Sequence, residues 1–493
     1  MLKISDQKFV KDVLIIAGSQ VIMGIGSVLI LPLITKTLGP YSYGIWSLIS
    51  TTISLLTTLA LLGLSEAMIR FLAAEKDPVK IKQGFFSILF FVISFGLAMS
   101  IAMFFLSDVI ALTLFKDISA SYLIKAASFL ILFNAIVLLA LYYFRIFQQT
   151  VKFSIFMIFQ TLSQLFLMYI LISLGYGILG VIIGYLLVQI FIFFISIFFV
   201  IKEIGFAIPD FSVLPTYLRF GLPIAPSNMI EWLKKSNSMY IITFFLGIQY
   251  LGVYSAASAI GSFIIVLAVP IQLILFPRLS QLFDENKLDQ VTYLLKDSVK
   301  YFAFLAIPAA FGLSFLAGPL LNVMTTPEFS SGAILIPFFA FAGVFLGINT
   351  IWTNIINLVK KTHITLYLLV FTAILSISLN FLLIPLIGIL GGAISVFVSY
   401  LILMGLTFRV SFKYIKITVD YKFLIKSIAA SFFMGISLLL LHPVSLIQFL
   451  SSVLFGILIY FILMILFKGI GKDEIKIAEN MLLEFLGKGE KHD

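Results

Sequence analysis

Residues 38–47 read LGPYSYGIWS, and residues 246–255 read LGIQYLGVYS. Aligned without a gap, Gly39 falls on Gly247, Gly44 on Gly252 and Ser47 on Ser255, and the same offset carries Arg70 onto Arg278. Apolar stretches match by accident, whereas glycines and arginines in fixed register do so less easily. A second echo sets Gly177-Ile178-Leu179-Gly180 against Gly388-Ile389-Leu390-Gly391, and its offset is three residues longer, as one small insertion would produce. The chain therefore repeats a unit of about two hundred residues.

That unit is made of charge-poor apolar runs. The chain is 61% apolar and 11% charged, against about 25% charged in soluble domains. An apolar helix of roughly 20 residues crosses a ~30 Å hydrocarbon layer. Runs of that length centre on residues 13–35, 43–68, 84–106, 121–144, 153–174 and 178–201, then on 219–246, 250–276, 298–316, 332–358, 363–384 and 389–410, with a last pair at 423–441 and 447–467. Six spans separate the copies, and because six is even both copies insert the same way up, a parallel repeat about the membrane normal. The expected fold is an all-α integral membrane protein of about fourteen transmembrane helices, two six-helix lobes followed by two C-terminal helices. The boundaries follow: first lobe 1–201, linker 202–218, second lobe 219–410, final pair 411–467 and tail 468–493.

Every Lys and Arg except Lys36, Lys116, Lys125, Lys234 and Lys235 lies on the side of the membrane that holds the two termini. By the positive-inside rule both termini are cytoplasmic in a multi-pass protein of the cell membrane. The net charge of +10 thus belongs to topology and to anionic lipid at the inner leaflet, and no nucleic-acid partner is expected. The first apolar run follows Lys3, Lys8 and Lys11 and is too long for a cleavable signal, so it reads as a membrane helix. In the tail, Ile475, Ala478, Leu482 and Phe485 share a helical face, which suits either the membrane surface or a plain solvated helix. With no cysteine and three histidines, disulfides, thiol nucleophiles and metal centres have little to work with.

Span seven is the exception to the apolar rule. Glu231, Lys234 and Lys235 lie between Arg219 and Gly247, which places Lys234 about 22 Å along a helix from Arg219, close to mid-membrane. Each such charge costs roughly 2.5–3.5 kcal/mol on the insertion scale, and each Leu, Ile or Phe returns only ~0.3–0.6. The span must therefore be shielded from lipid. Asn228, Glu231, Lys235 and Ser238 follow intervals of three and four residues, a polar stripe. Glu231 also precedes Lys235 by four residues, the favourable order for a self-neutralised pair, so the stripe serves either packing or a hydrated cavity. Pro223 and Pro226 at its start suit a kink or first-turn prolines. In span ten, Thr350, Asn354, Asn357 and Lys361 form a second polar face.

Elsewhere structural roles are expected. Ser47, Thr51, Ser54 and Thr58 suit close helix packing, and Asn134, Gln164, Gln189 and Asn380 suit interhelical hydrogen bonds. Arg70 and Arg278 close their spans where cations favour helix C-termini, and read as anchors. No paired carboxylates at glycosidase spacing, phosphate-cradling glycine loop or Ser-His-Asp candidate is evident, so enzymatic chemistry has no evident home.

LGPYSYGIWS after the first span, LGIQYLGVYSAAS after the seventh and GILGG before the twelfth resemble the Wzx-type polysaccharide biosynthesis flippases of the multidrug/oligosaccharidyl-lipid/polysaccharide (MATE-like) exporter superfamily. The resemblance covers roughly residues 10–470 and implies two lobes around a central cavity. It also implies movement of a polyprenyl-diphosphate-linked oligosaccharide, such as an O-antigen, capsule or exopolysaccharide unit, to the outer leaflet by alternating access. Family members often carry an Asp-Arg pair in the outer part of span seven, where this chain has Ser236, Asn237 and Ser238. Peptidoglycan-precursor flippases place arginines in their first helices, but here the first span is uncharged from Val13 to Thr35.

The expected function is therefore that of a lipid-linked oligosaccharide flippase and not of an enzyme. Its substrate cavity would hold Asn228, Glu231, Lys234, Lys235, Ser238, Thr350, Asn354 and Asn357, with the lysines meeting diphosphate or sugar acid and Glu231 tuning them. No cofactor is expected, with proton or sodium coupling left open. Partners would be the substrate, membrane lipids, and a glycan polymerase and glycosyltransferases. The alternatives are a cation-coupled multidrug or small-molecule exporter of the same superfamily, with Glu231 as coupling carboxylate, and a membrane glycan polymerase or ligase. The latter would need a sizeable outer loop for its polar groups.

Overall fold

The computed structural model describes residues 4–469, so the amphipathic tail face at Ile475–Phe485 lies outside the described residues. Among the described residues every regular element is a helix. The first repeat unit contains α1 (Ile4–Leu61), α2 (Leu64–Leu72), α3 (Pro78–Phe105), α4 (Ser107–Ile110), α5 (Ser121–Ile146), α6 (Thr150–Ser173) and α7 (Gly177–Ile204). A connection through α8 (Leu214–Gly221) leads to α9 (Ala225–Leu246), α10 (Ile248–Gly261), α11 (Val269–Asp284), α12 (Leu288–Phe315) and α13 (Ala317–Met324). The second unit closes with α14 (Ile336–Leu358), α15 (Thr362–Ile387) and α16 (Ile389–Phe412), and α17 (Tyr421–Leu439) and α18 (Leu446–Leu466) follow.

Gly39 and Gly247 explain the repeated motif. Gly39 (φ 74°, ψ −178°) interrupts α1, and Gly247 (φ 95°, ψ 172°) separates α9 from α10. This backbone conformation is essentially confined to glycine, so each copy spends its glycine on the same reversal between its first two helices. Pro40 then starts the second limb of α1 where its missing N–H costs nothing. Twelve helices are long and apolar enough to cross a membrane among the described residues. The difference from the expected fourteen lies in two places: the two limbs of α1 on either side of Gly39 count together as one, and α9, with 22 residues, carries three charges.

The helices sort into two lobes. Helices α1, α3, α5, α6 and α7 pack on one another, as do α9, α10, α12, α14, α15 and α16, while α17 packs on α12 and on α18. The lobes meet along α1 against α9 and α10. Near the Gly39 end this contact is backbone on backbone: a Cβ on Gly44 would lie 2.2 Å from the Ile248 carbonyl oxygen, and one on Gly252 would lie 1.9 Å from that of Pro40. Each contact is the image of the other under the repeat, so the two copies are related by an axis passing between these glycines. Thr35 Oγ1 donates to the Met324 carbonyl (3.1 Å), and Lys116 Nζ donates to that of Phe244 (2.7 Å), each tying one lobe to the other.

Burial follows the same asymmetry. One apolar core runs unbroken from the first lobe into α10 and α14, taking in Ile49, Leu251, Tyr254 and Ile336, so the lobes share a core at the Gly39 end. Away from that end the second lobe has its own core around Leu275, Phe302 and Ile355. At the opposite end, marked by Arg70, the lobes also meet backbone on backbone: a Cβ on Gly63 (φ 72°) would lie 2.3 Å from the Gly221 carbonyl oxygen. The lobes are thus in backbone contact at both ends.

Candidate functional site

The connection into α9 is built by its prolines. Leu222–Ile224 break the helix after α8, and Pro226 sits in the first turn of α9, where no N–H is needed. Both roles foreseen for the prolines are thus filled, one in the break and one in the first turn. Lys234 then stands about 14 Å from the start of α9 and about 18 Å from its end.

Successive residues turn by about 100°, so three faces of α9 can be assigned from their contacts. One meets the first lobe: Trp232 Nε1 donates to the Thr51 carbonyl (3.2 Å), Thr51 Oγ1 to Met239 Sδ (3.1 Å), and the Thr52 and Tyr240 hydroxyls are 2.9 Å apart. A second meets the rest of its own lobe, where Asn237 Nδ2 donates to Ser376 Oγ (3.2 Å) and Asn380 Nδ2 donates to Ser238 Oγ (2.9 Å). Lys234 belongs to this side: it is 4% exposed, with Nζ 5.4 Å from the centre of the Tyr400 ring. The arc left between them holds Glu231 and Lys235, which face the seam between the lobes.

Glu231 and Lys235 form an ion pair of 2.8 Å, each side chain about half exposed. Asn228, one turn earlier, donates to Glu66 Oε1 of α2 (3.4 Å), and Ser65 Oγ holds the other oxygen of Glu66 (2.8 Å). Beside them an open cavity of about 530 Å³ is lined by Glu66, Ile69, Arg70, Ala73, Phe220 and Ile224. The Asn228–Glu66 bond thus carries the polar run from Lys235 and Glu231 into a cavity that Arg70 lines at the end it marks.

The eight residues singled out in the sequence are therefore divided. Asn228, Glu231 and Lys235 share the seam, Lys234 and Ser238 turn into the second lobe, and Thr350, Asn354 and Asn357 lie apart on α14. There Asn354 Nδ2 binds the Thr350 and Ile351 carbonyls (3.3 and 3.2 Å), and Thr350 Oγ1 binds that of Gly347 (2.7 Å). No hydrogen bond among the described residues joins α14 to α9. Two seam residues escaped the sequence: Glu66, which no pattern marked, and Arg70, read as an anchor.

Three of the four isolated amides, Asn134, Gln189 and Asn380, bond between helices, whereas the Gln164 side chain makes no such bond among the described residues. Asn380 joins α15 to α9, and Gln189 joins α7 to Asn134 of α5 and to Gln160 of α6 (2.8 Å). Buried interhelical bonds of this kind average ~0.6 kcal/mol and reach ~1.7. With both members fully or nearly buried, Asn380→Ala should cost about 1–2 kcal/mol. That loss would be read as a lowered unfolding temperature in detergent with transport retained at permissive temperature.

Comparison with known proteins places this geometry. A family model described as polysaccharide biosynthesis protein matches residues 33–334. The probable low-salt glycan biosynthesis flippase Agl15 of Haloferax volcanii is 22% identical over 54% of this chain and 58% of its own length. The chain spans between 32% and 58% of the length of the curated relatives it matches. Among solved structures, the lipid II flippase MurJ in an inward closed conformation has a TM-score of 0.76 at 19% identity, covering 93% of this chain and 99% of that one. An inward-facing multidrug MATE family transporter has a TM-score of 0.66 at 14% identity, covering 80% and 93%. These likenesses show that the fold is that of MurJ and the MATE transporters.

Proposed function

The chain belongs to the polysaccharide biosynthesis protein family, and from that premise we propose that it is a flippase for a polyprenyl-diphosphate-linked oligosaccharide. One observation carries the reading: Glu231 and Lys235, near the middle of α9, turn to the seam between two lobes instead of being buried or held apart from it. An anionic headgroup cannot cross hydrocarbon unaided. A cation held loosely by a neighbouring carboxylate, at half exposure, can release that carboxylate and take a diphosphate oxygen in its place, because a half-exposed pair is worth only ~0–1 kcal/mol.

The transport cycle follows from the closures. With the lobes held at Gly44 and Gly252, separation of the Gly63–Gly221 contact would admit the headgroup past Arg70, Glu66 and Asn228 to Lys235. Re-forming the Gly63–Gly221 contact and separating the Gly39 end would then present it to the other leaflet. In this reading the protein is a transporter and not an enzyme. It lies in the cytoplasmic membrane with both termini cytoplasmic and fourteen crossings, α9 among them, and it works beside glycosyltransferases and a glycan polymerase. The lobes correspond to residues 1–201 and 219–410, and Thr350, Asn354 and Asn357 would join the cavity only in another state.

The test is flipping of a fluorescent lipid-linked oligosaccharide in proteoliposomes. Lys235→Ala should slow it by about tenfold, equivalent to ~1.4 kcal/mol, and Lys235→Arg should retain most of the rate. Full-rate flipping by the Lys234→Ala/Lys235→Ala double variant would refute the site. Movement of a cationic drug, with none of the glycan lipid, would transfer the protein to the exporter reading.

A further inference from the structure

The first lobe holds a separate cavity of about 530 Å³, and no charged residue lines it. Its polar wall is made of amides, hydroxyls and aromatic rings, set among aliphatic and methionine side chains such as Ile53, Val137 and Met168. Gln189, 3% exposed, is the hub: its amide nitrogen donates to Asn134 and to the Tyr185 hydroxyl (3.3 Å), and its oxygen accepts from Gln160 Nε2 (2.8 Å). Opposite stand Ser50 and Thr57 on the second limb of α1, whose buried hydroxyls have no hydrogen-bond partner among the described residues. Gln164 also lines the space, its side chain making no hydrogen bond to any described residue. Trp46 and Tyr185 stand edge to face, their rings 5.7 Å apart.

We infer that this cavity binds an uncharged sugar unit of the lipid-linked glycan, an inference that rests on the flippase reading. Its volume falls in the ~300–1,000 Å³ range of small-molecule sites and far exceeds that of an ion. A saccharide presents alternating hydroxyl donors and acceptors with apolar C–H faces between them. Amides offer both a donor and an acceptor, and Trp and Tyr offer flat apolar walls with polar edges. Buried hydroxyls left without partners are what a polar ligand would satisfy. A sugar acid would enter with no cation to meet it, and a carboxylate taken out of water without a partner is strongly disfavoured, so the cavity selects neutral units. The second limb of α1 separates it from the charged seam by one helix, since Thr51 and Thr52 contact α9 while Ser50 and Thr57 face the cavity.

The chain has three tryptophans, and Trp232→Phe/Trp352→Phe leaves Trp46 as a reporter in the cavity wall. The full-length protein in detergent is titrated with cellobiose, N-acetylglucosamine, glucuronic acid and sodium chloride while Trp46 emission is followed. Saturable changes with a neutral sugar, and none with glucuronic acid, are expected. Gln189→Leu should weaken binding by about tenfold or more, one missing polar contact in a site built for hydroxyls. Gln164→Leu, which breaks no bond of the fold, should also weaken it and guards against misfolding of the Gln189 variant.

A response to sodium chloride alone would make the cavity a cation site and overturn the inference. So would equal binding of glucuronic acid, silence with every sugar, or sugar binding that neither leucine variant alters. Sugar binding in a protein that flips no glycan lipid would sink the flippase reading and leave the cavity's chemistry standing. Flipping with no sugar response would do the reverse.

Discussion

Gly252→Val is expected to leave the protein folded in the membrane but to spring the lobes apart at the Gly39 end and stop transport. The added Cβ would lie 1.9 Å from the Pro40 carbonyl oxygen and 2.8 Å from its carbon. Overpacking against side chains costs about 1–3 kcal/mol because rotamers yield; here the obstacle is backbone, so the cost falls at or above the top of that range. About 3 kcal/mol is roughly two orders of magnitude in the balance between closed and open states. Each lobe keeps its own packing, since the overlap lies only between them. With no native cysteine, Ser255→Cys supplies a clean reporter: it is 4% exposed and three residues from Gly252, on the same face. Maleimide labelling should be slow in the parent and fast beside Gly252→Val. Gly63→Val, at the other closure, should leave it slow. Unchanged labelling in a correctly folded Gly252→Val protein would show that these glycines do not set the closure.

These glycines also mark how far the chain could be read in advance. Gly39, Gly44, Gly247 and Gly252 were legible because only glycine satisfies a positive φ or a contact with a carbonyl, so the residue type itself reports the constraint. The polarity of α9 was legible for a similar reason, as charge in a long apolar context has few permitted settings. The division of Lys234 from Lys235 was not. Adjacent residues differ by 100° around a helix, and which of them meets Tyr400 depends on how α16 packs, information spread over more than a hundred and fifty residues. Asn134, Gln160 and Gln189 sit on three helices, and each alone matches an ordinary interhelical bond. Their convergence on one cavity belongs to the tertiary fold. Arg70 was assigned to anchoring because its position at a helix end suffices for that role; its second role depends on the turn at Leu62 and Gly63, where α1 gives way to α2.

The split between the two lysines leads to the other large effect. Lys234 is buried against Tyr400, and the one carboxylate on its own helix within a turn is Glu231, which at the same time pairs with Lys235. Glu231→Gln should therefore act twice. It frees Lys235, a change worth under about 1 kcal/mol at half exposure, and it leaves Lys234 with no nearby counter-charge in a place that water barely reaches. Glu231 is half exposed and makes no ion pair with Lys234, so the loss of its attraction should cost less than the ~3–5 kcal/mol of a broken buried pair, and thermal unfolding in detergent should move down by a few degrees. Adding Lys234→Met to Glu231→Gln should recover most of that loss, because an apolar chain of similar length fills the site beside Tyr400 without a charge to solvate. Lys235→Met added to Glu231→Gln should recover little. The two double variants differ only in which neighbouring lysine is replaced. If they prove equally stable, Lys234 is not the buried cation, and the division of α9 into a seam face and a packing face is wrong.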